Sequence, residues 1–175
     1  MARLVGHVVS GRGWATGDLA RHLDVLREET GCDLFPGTLN LHLRRPAVFD
    51  PGEAIEFGGG RRLLWPASMV GRDVWLYRWR RAPIHVVEVL ADIRLRHHLG
   101  ERQKVALEVE DRLLLPIRPR ATLGWLLLYA GRGRWYYTSR RYWMRAARWE
   151  RRFCAVQAHA GVSDRDGRQS RRGRA

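Results

Sequence analysis

A mainly β fold, built on one small closed barrel with a single covering helix and a helical basic extension behind it, is what this sequence predicts. Two observations carry that prediction. Short apolar segments separated by Gly and Pro punctuation recur from residue 4 to about residue 117, and only one early segment changes to helical spacing. Many short strands with one helix fit a closed barrel better than an open layered sheet.

Residues 4–9 alternate as a strand and run into Ser10, Gly11, Arg12 and Gly13, where small residues let backbone amides approach a ligand closely. From Thr16, which suits an N-cap, Leu19, Leu23 and Leu26 recur at helical spacing, and Gly31 is placed to end the helix. This helix is expected to cover a barrel face. Residues 35–43, FPGTLNLHL, combine a Pro-Gly turn with a strand. Pro46, Pro51 and Gly52 follow, then a short strand at 54–57 and a turn at Gly58, Gly59 and Gly60. Hairpins are the natural connections. Further strands are expected at 62–66, 73–79, 85–91, 104–110 and 113–117.

With 175 residues the chain holds one ordinary domain, 1–118, and an appendage, 119–175. Charge separates the two. Residues 1–116 carry 17 basic and 15 acidic groups, a net +2, whereas 117–175 carry 15 basic and 3 acidic groups, a net +12. Attraction to polyanions therefore belongs to the extension. In it Tyr142, Ala146, Trp149, Phe153 and Val156 fall at helical spacing beside Arg141, Arg145, Arg148 and Arg152, an amphipathic pattern. Interleaved aromatic and Arg residues suit weak contact with nucleic acid or an anionic membrane surface, or simple packing on the barrel. The last dozen residues have too little apolar content to order themselves.

Cys32 and Cys154 lie far apart without metal-ligand spacing, so neither a disulfide framework nor a zinc site is indicated. No apolar leader opens the sequence, and the longest apolar run, 123–130, is too short for a membrane span. A cytoplasmic protein is expected. The seven His residues show no paired ligand spacing beyond adjacent His97 and His98, and they read as surface or satisfied strand residues. Walker-type and Ser-His-acid patterns do not appear.

The chemistry concentrates in three segments. Behind the Pro36-Gly37 turn, strand alternation sets Thr38 and Asn40 on one face, two neutral oxygen donors suited to a hard cation held with substrate phosphates. Ordinary hairpin chemistry is the other reading of that T-x-N pattern. The loop Gly6-x-Val8-x-Ser10-Gly11-x-Gly13, this Pro-Gly-Thr-Leu-Asn element and the closing segment EVLADIRLR at 88–96 follow one another in an order that resembles the archaeal-type CTP-dependent riboflavin kinase family.

That resemblance covers about residues 4–109. It implies a cradle-loop β-barrel, CTP and riboflavin as substrates, and Mg2+ as the metal. It further implies that Ser10, Gly11, Arg12, Gly13, Trp14, Ala15 and Thr16 wrap the nucleotide phosphates and that Ile93, Arg94, Leu95 and Arg96 hold the cytidine end. By the same resemblance Thr38 and Asn40 bind the metal, and Glu88 contacts the flavin or accepts a proton from its attacking hydroxyl. Arg80 stands on the substrate side, where the family has a flavin-contacting threonine eight residues before the glutamate. Asp18 and Leu19 replace an expected aromatic, Phe35 replaces tyrosine, and Gly100, Glu101, Arg102 and Gln103 replace an Asp-Gly-Asp turn. Two rivals stay open: a non-catalytic nucleotide- or nucleic-acid-binding module that uses the basic extension, and a related kinase with a different acceptor.

Overall fold

The computed structural model of the chain describes residues 1–11, 14–80, 82–120, 122, 123 and 126. The chain divides into two compact units, Met1–Ile117 and Arg118–Ala175. The amphipathic pattern at 141–156 and the final dozen residues lie outside the described residues.

The first unit is mainly β. Its strands are β1 (Ala2–Val9), β2 (Leu39–Leu43), β3 (Val48–Phe49), β4 (Ile55–Phe57), β5 (Arg62–Met69), β6 (Arg72–Trp79), β7 (Val86–Leu90), β8 (Lys104–Val109) and β9 (Leu114–Leu115). Antiparallel pairing runs β5-β6-β7-β2-β1-β8 and returns from β8 to β5, which closes a six-stranded barrel. Its closing seam is short, with Ser68 opposite Glu108 and Met69 opposite Leu107. β4 lies outside this ring and pairs with the first half of β5, Ile55 opposite Leu64.

Alternation sorts the side chains into two cores. Val8, Leu39, Leu41, Leu63, Trp65, Leu76, Val87, Val89, Val105 and Leu107 fill the barrel interior. The opposite face of the wall carries Leu64, Tyr77 and Leu90, which join Phe57 and Leu34 and are covered by Leu19 and Leu26 from the helical segment. That segment is two helices, α1 (Trp14–Ala20) and α2 (Leu23–Thr30), rather than the single helix its leucine spacing predicts. At the break the His22 N–H donates to the Leu19 carbonyl, an i to i+3 bond, and Thr16 sits inside α1 instead of capping it. With this bend Leu19 and Leu26 are both fully buried. Gly31 ends α2 as expected, at φ 69° with its N–H on the Arg27 carbonyl.

One feature of the interior has no counterpart in the sequence reading. Arg78, on the inward side of β6, is buried and donates to the carbonyls of Val86 at 2.6 Å, Ile84 at 2.8 Å and Ala47 at 2.9 Å. Its guanidinium stacks 4.8 Å from the Phe49 ring centroid, and Phe49 in turn lies 5.0 Å from the Trp65 ring. Trp65 Nε1 donates to the Asp50 carbonyl, tying the β3–β9 ladder to the barrel wall. Among the described residues no helix is long and apolar enough to cross a membrane.

Candidate functional site

The Pro-Gly element works as a local excursion in the β2–β7 ladder. Leu39 pairs with Val89, yet Phe35 N–H donates to the Ala91 carbonyl, so three residues bulge where regular pairing needs one. Gly37 N–H closes the bulge by donating to the Phe35 carbonyl across Pro36 at 2.7 Å, a γ-turn. The chain re-enters the sheet at Leu39, and the Thr38 hydroxyl, at the last position of the bulge, donates to Glu88 Oε2 at 2.6 Å.

Register completes the constellation. Asn40 lies directly opposite Glu88, Val9 lies opposite Asn40 on the other side, and Tyr77 lies opposite Glu88 on β6. Directly paired residues share a face. Val9, Asn40, Glu88 and Tyr77 therefore form one row on the outer wall, the face that α1 and α2 partly cover. Asn40 and Glu88 are each only 8% exposed.

Gly11 comes down onto this row. A Cβ at Gly11 would fall 2.3 Å from Asn40 Nδ2 and 3.4 Å from its Oδ1, so a side chain here would displace the Asn40 amide, whose nitrogen is the atom turned toward the loop. Arg96 reaches the same strand end, donating to the Val9 carbonyl at 2.6 Å. Four segments far apart in sequence thus bring Ser10, Gly11, Thr38, Asn40, Glu88 and Arg96 to one end of β1.

The other predicted residues distribute as follows. Leu95 is buried and Ile93 packs against the interior core, whereas Arg94 is exposed beside them. Ala15 packs on the outer core and Thr16 is exposed. Arg12, Gly13 and the Trp14 side chain lie outside the described residues. Arg80 is engaged elsewhere: its guanidinium donates to Glu56 Oε1 at 2.5 Å and to the Gly60 carbonyl at 2.8 Å. It lies three residues beyond Tyr77 on the chain and on the opposite side of the alternation, and what flanks Glu88 across the sheet is Tyr77.

Tyr77 escaped sequence reasoning because aromatic alternation in 73–79 reads equally as core. The histidines also gain definition. His42 and His85 meet edge to face at 5.2 Å, and His85 is buried. Burial, the neighbouring His42 and the Arg78 guanidinium together hold the His85 imidazole well below its usual range.

As a cation site, the Thr38 hydroxyl and the Asn40 amide oxygen form an all-oxygen donor pair, the kind that suits Mg2+ and not a thiophilic metal, and the Glu88 carboxylate stands behind Thr38 as its hydrogen-bond acceptor. Among the described residues no three His, Cys, Asp or Glu side chains cluster in a metal-binding arrangement. Such a set fits an ion that takes its remaining ligands from phosphate and water. No protein-family model matches this chain, and no curated protein matches it.

Proposed function

We propose that the chain is a metal-dependent kinase that transfers the γ-phosphoryl group of CTP to the terminal ribityl hydroxyl of riboflavin, giving FMN and CDP. The observation that carries the reading is the meeting of Thr38, Asn40, Glu88 and Gly11 at one strand end, although these residues lie up to 77 positions apart in sequence. In this reaction the acceptor oxygen forms a bond to the γ-phosphorus as the bond to the β-phosphate oxygen breaks, and the hydroxyl proton is released. Bound Mg2+ supplies charge neutralisation for the phosphate oxygens. The backbone amides at Ser10 and Gly11 steady the phosphates, Thr38 and Asn40 present oxygens to the cation, and segment 93–96 lies within reach of the same strand end through Arg96.

Arg80 favours a second reading, in which the acceptor differs. At this position an arginine stands in place of the family's threonine, and its guanidinium is bonded to Glu56 and the Gly60 carbonyl. One assay separates the two: purified protein with Mg2+, each nucleoside triphosphate in turn, and riboflavin, following FMN by fluorescence after chromatography. FMN formed with CTP supports the first reading. Riboflavin left unchanged while CTP is consumed with another polyol supports the second, and no nucleotide turnover with any acceptor removes both.

A further inference from the structure

Thr38 and Asn40 are ambivalent groups, since a hydroxyl and a carboxamide can each donate or accept. A cation needs them to accept. For Thr38 the hydroxyl hydrogen is directed to Glu88 Oε2 at 2.6 Å, a length typical of a hydroxyl donating to a carboxylate. With its one hydrogen so committed, Oγ1 can offer a further partner only its lone pairs. For Asn40 the amide nitrogen faces Gly11, and the oxygen is the atom farther from the loop. Glu88 is nearly buried and lies opposite Asn40 in register, so the sheet holds its carboxylate at a fixed height relative to both.

We infer that Glu88 is a positioning residue for the cation site: its carboxylate takes the Thr38 hydrogen bond and turns the lone pairs of Oγ1 toward the ion. The inference rests on the kinase reading and assigns Glu88 a task other than proton abstraction. Acceptors of this kind raise the basicity of the ligand they hold, and their removal typically weakens metal affinity by about 10–100-fold. A general base, by contrast, acts on the acceptor hydroxyl and has no effect on cation retention before the acceptor binds.

The test is Mn2+ binding, read by loss of the free-ion EPR signal with CDP present and riboflavin absent, on wild type, Glu88→Ala, Glu88→Gln, Thr38→Val and the Thr38→Val/Glu88→Ala double variant. Glu88→Ala is expected to weaken Mn2+ retention by about tenfold. Glu88→Gln, whose Oε1 still accepts from Thr38 in the same volume, is expected to recover retention to within about threefold of wild type. In the double variant the Glu88 change should add no loss to that of Thr38→Val, because the partner through which it acts is gone. Wild-type retention in Glu88→Ala overturns the inference, as does a full further loss in the double variant, which would make Glu88 a direct ligand. Wild type that holds Mn2+ and CDP yet forms no FMN sinks the riboflavin reading and leaves the positioning role intact. Wild type that holds no Mn2+ sinks the cation site and this inference together.

Discussion

Thr38, Asn40 and Gly11 set the reach of single substitutions. Thr38→Ala and Asn40→Ala each delete one oxygen donor, and each is expected to lower kcat/KM for FMN formation about a hundredfold, ~2.7 kcal/mol of transition-state stabilisation. Near-normal turnover in either variant would remove the metal assignment. Gly11→Ala places a methyl where the Asn40 amide now sits, so the amide must swing away. About a tenfold rise in the KM for CTP is expected, with little change in melting temperature because the loop is on the outside of the wall. His85 offers a test of stability. Its folded pKa is depressed below 6.5, so the unfolded chain binds a proton that the native state refuses. The stabilisation is complete above the unfolded value and is lost as pH falls below about 6.5, at most ~1.4 kcal/mol per pH unit for one group. Urea midpoints measured from pH 7.5 to 5.5 should fall, and His85→Leu should flatten that fall. An unchanged slope would locate the acid sensitivity elsewhere.

Turns and helices show what local sequence can and cannot announce. Val70 and Gly71 form the two-residue β5–β6 hairpin, both at positive φ, 54° and 72°. A β-branched residue in that region is strained, and Val70 is also 81% exposed, so its side chain gains no burial. Val70→Asn should stabilise the unit by about 1 kcal/mol, seen as a raised urea midpoint at constant m-value. An unchanged or lowered midpoint would show that Val70 has a contact worth its strain. The Gly31 stop was legible because left-handed geometry demands a particular residue. The break at His22 was not, since Leu19, Leu23 and Leu26 fit one continuous helix as well as two bent over a curved wall. Pro36-Gly37 announced a turn, but its service to Thr38 depends on Ala91 and Glu88, which no spacing within 35–43 encodes.

At the scale of the molecule, the mainly β barrel was legible from alternation and punctuation, and its closure was not. Which strand meets which is decided by pairs such as Ala2 with Val109 and Ser68 with Glu108, contacts that leave no mark in either segment alone. The site inherits the same opacity: Thr38 and Glu88 are 50 residues apart, and only the β2–β7 pairing joins them. Arg78 belongs here as well, because one side chain satisfies three carbonyls from the segments around β3 and β7. Arg78→Met keeps the volume and takes this donor from the Val86 and Ala47 carbonyls, while Ile84 keeps its bond from the Ala47 N–H, so a loss of about 3 kcal/mol in denaturant-measured stability is expected. A loss under ~1 kcal/mol would mean that the carbonyls find water.

The pairing of β1 with β8 fixes an order of events during synthesis. Strand β1 has one neighbour nearly the whole unit away, so its second edge stays open until residue 109 has been added and that stretch has cleared the exit tunnel. Through that interval the nascent chain carries a row of unclaimed amides and carbonyls, an invitation to a chaperone or to a neighbouring chain on the same message.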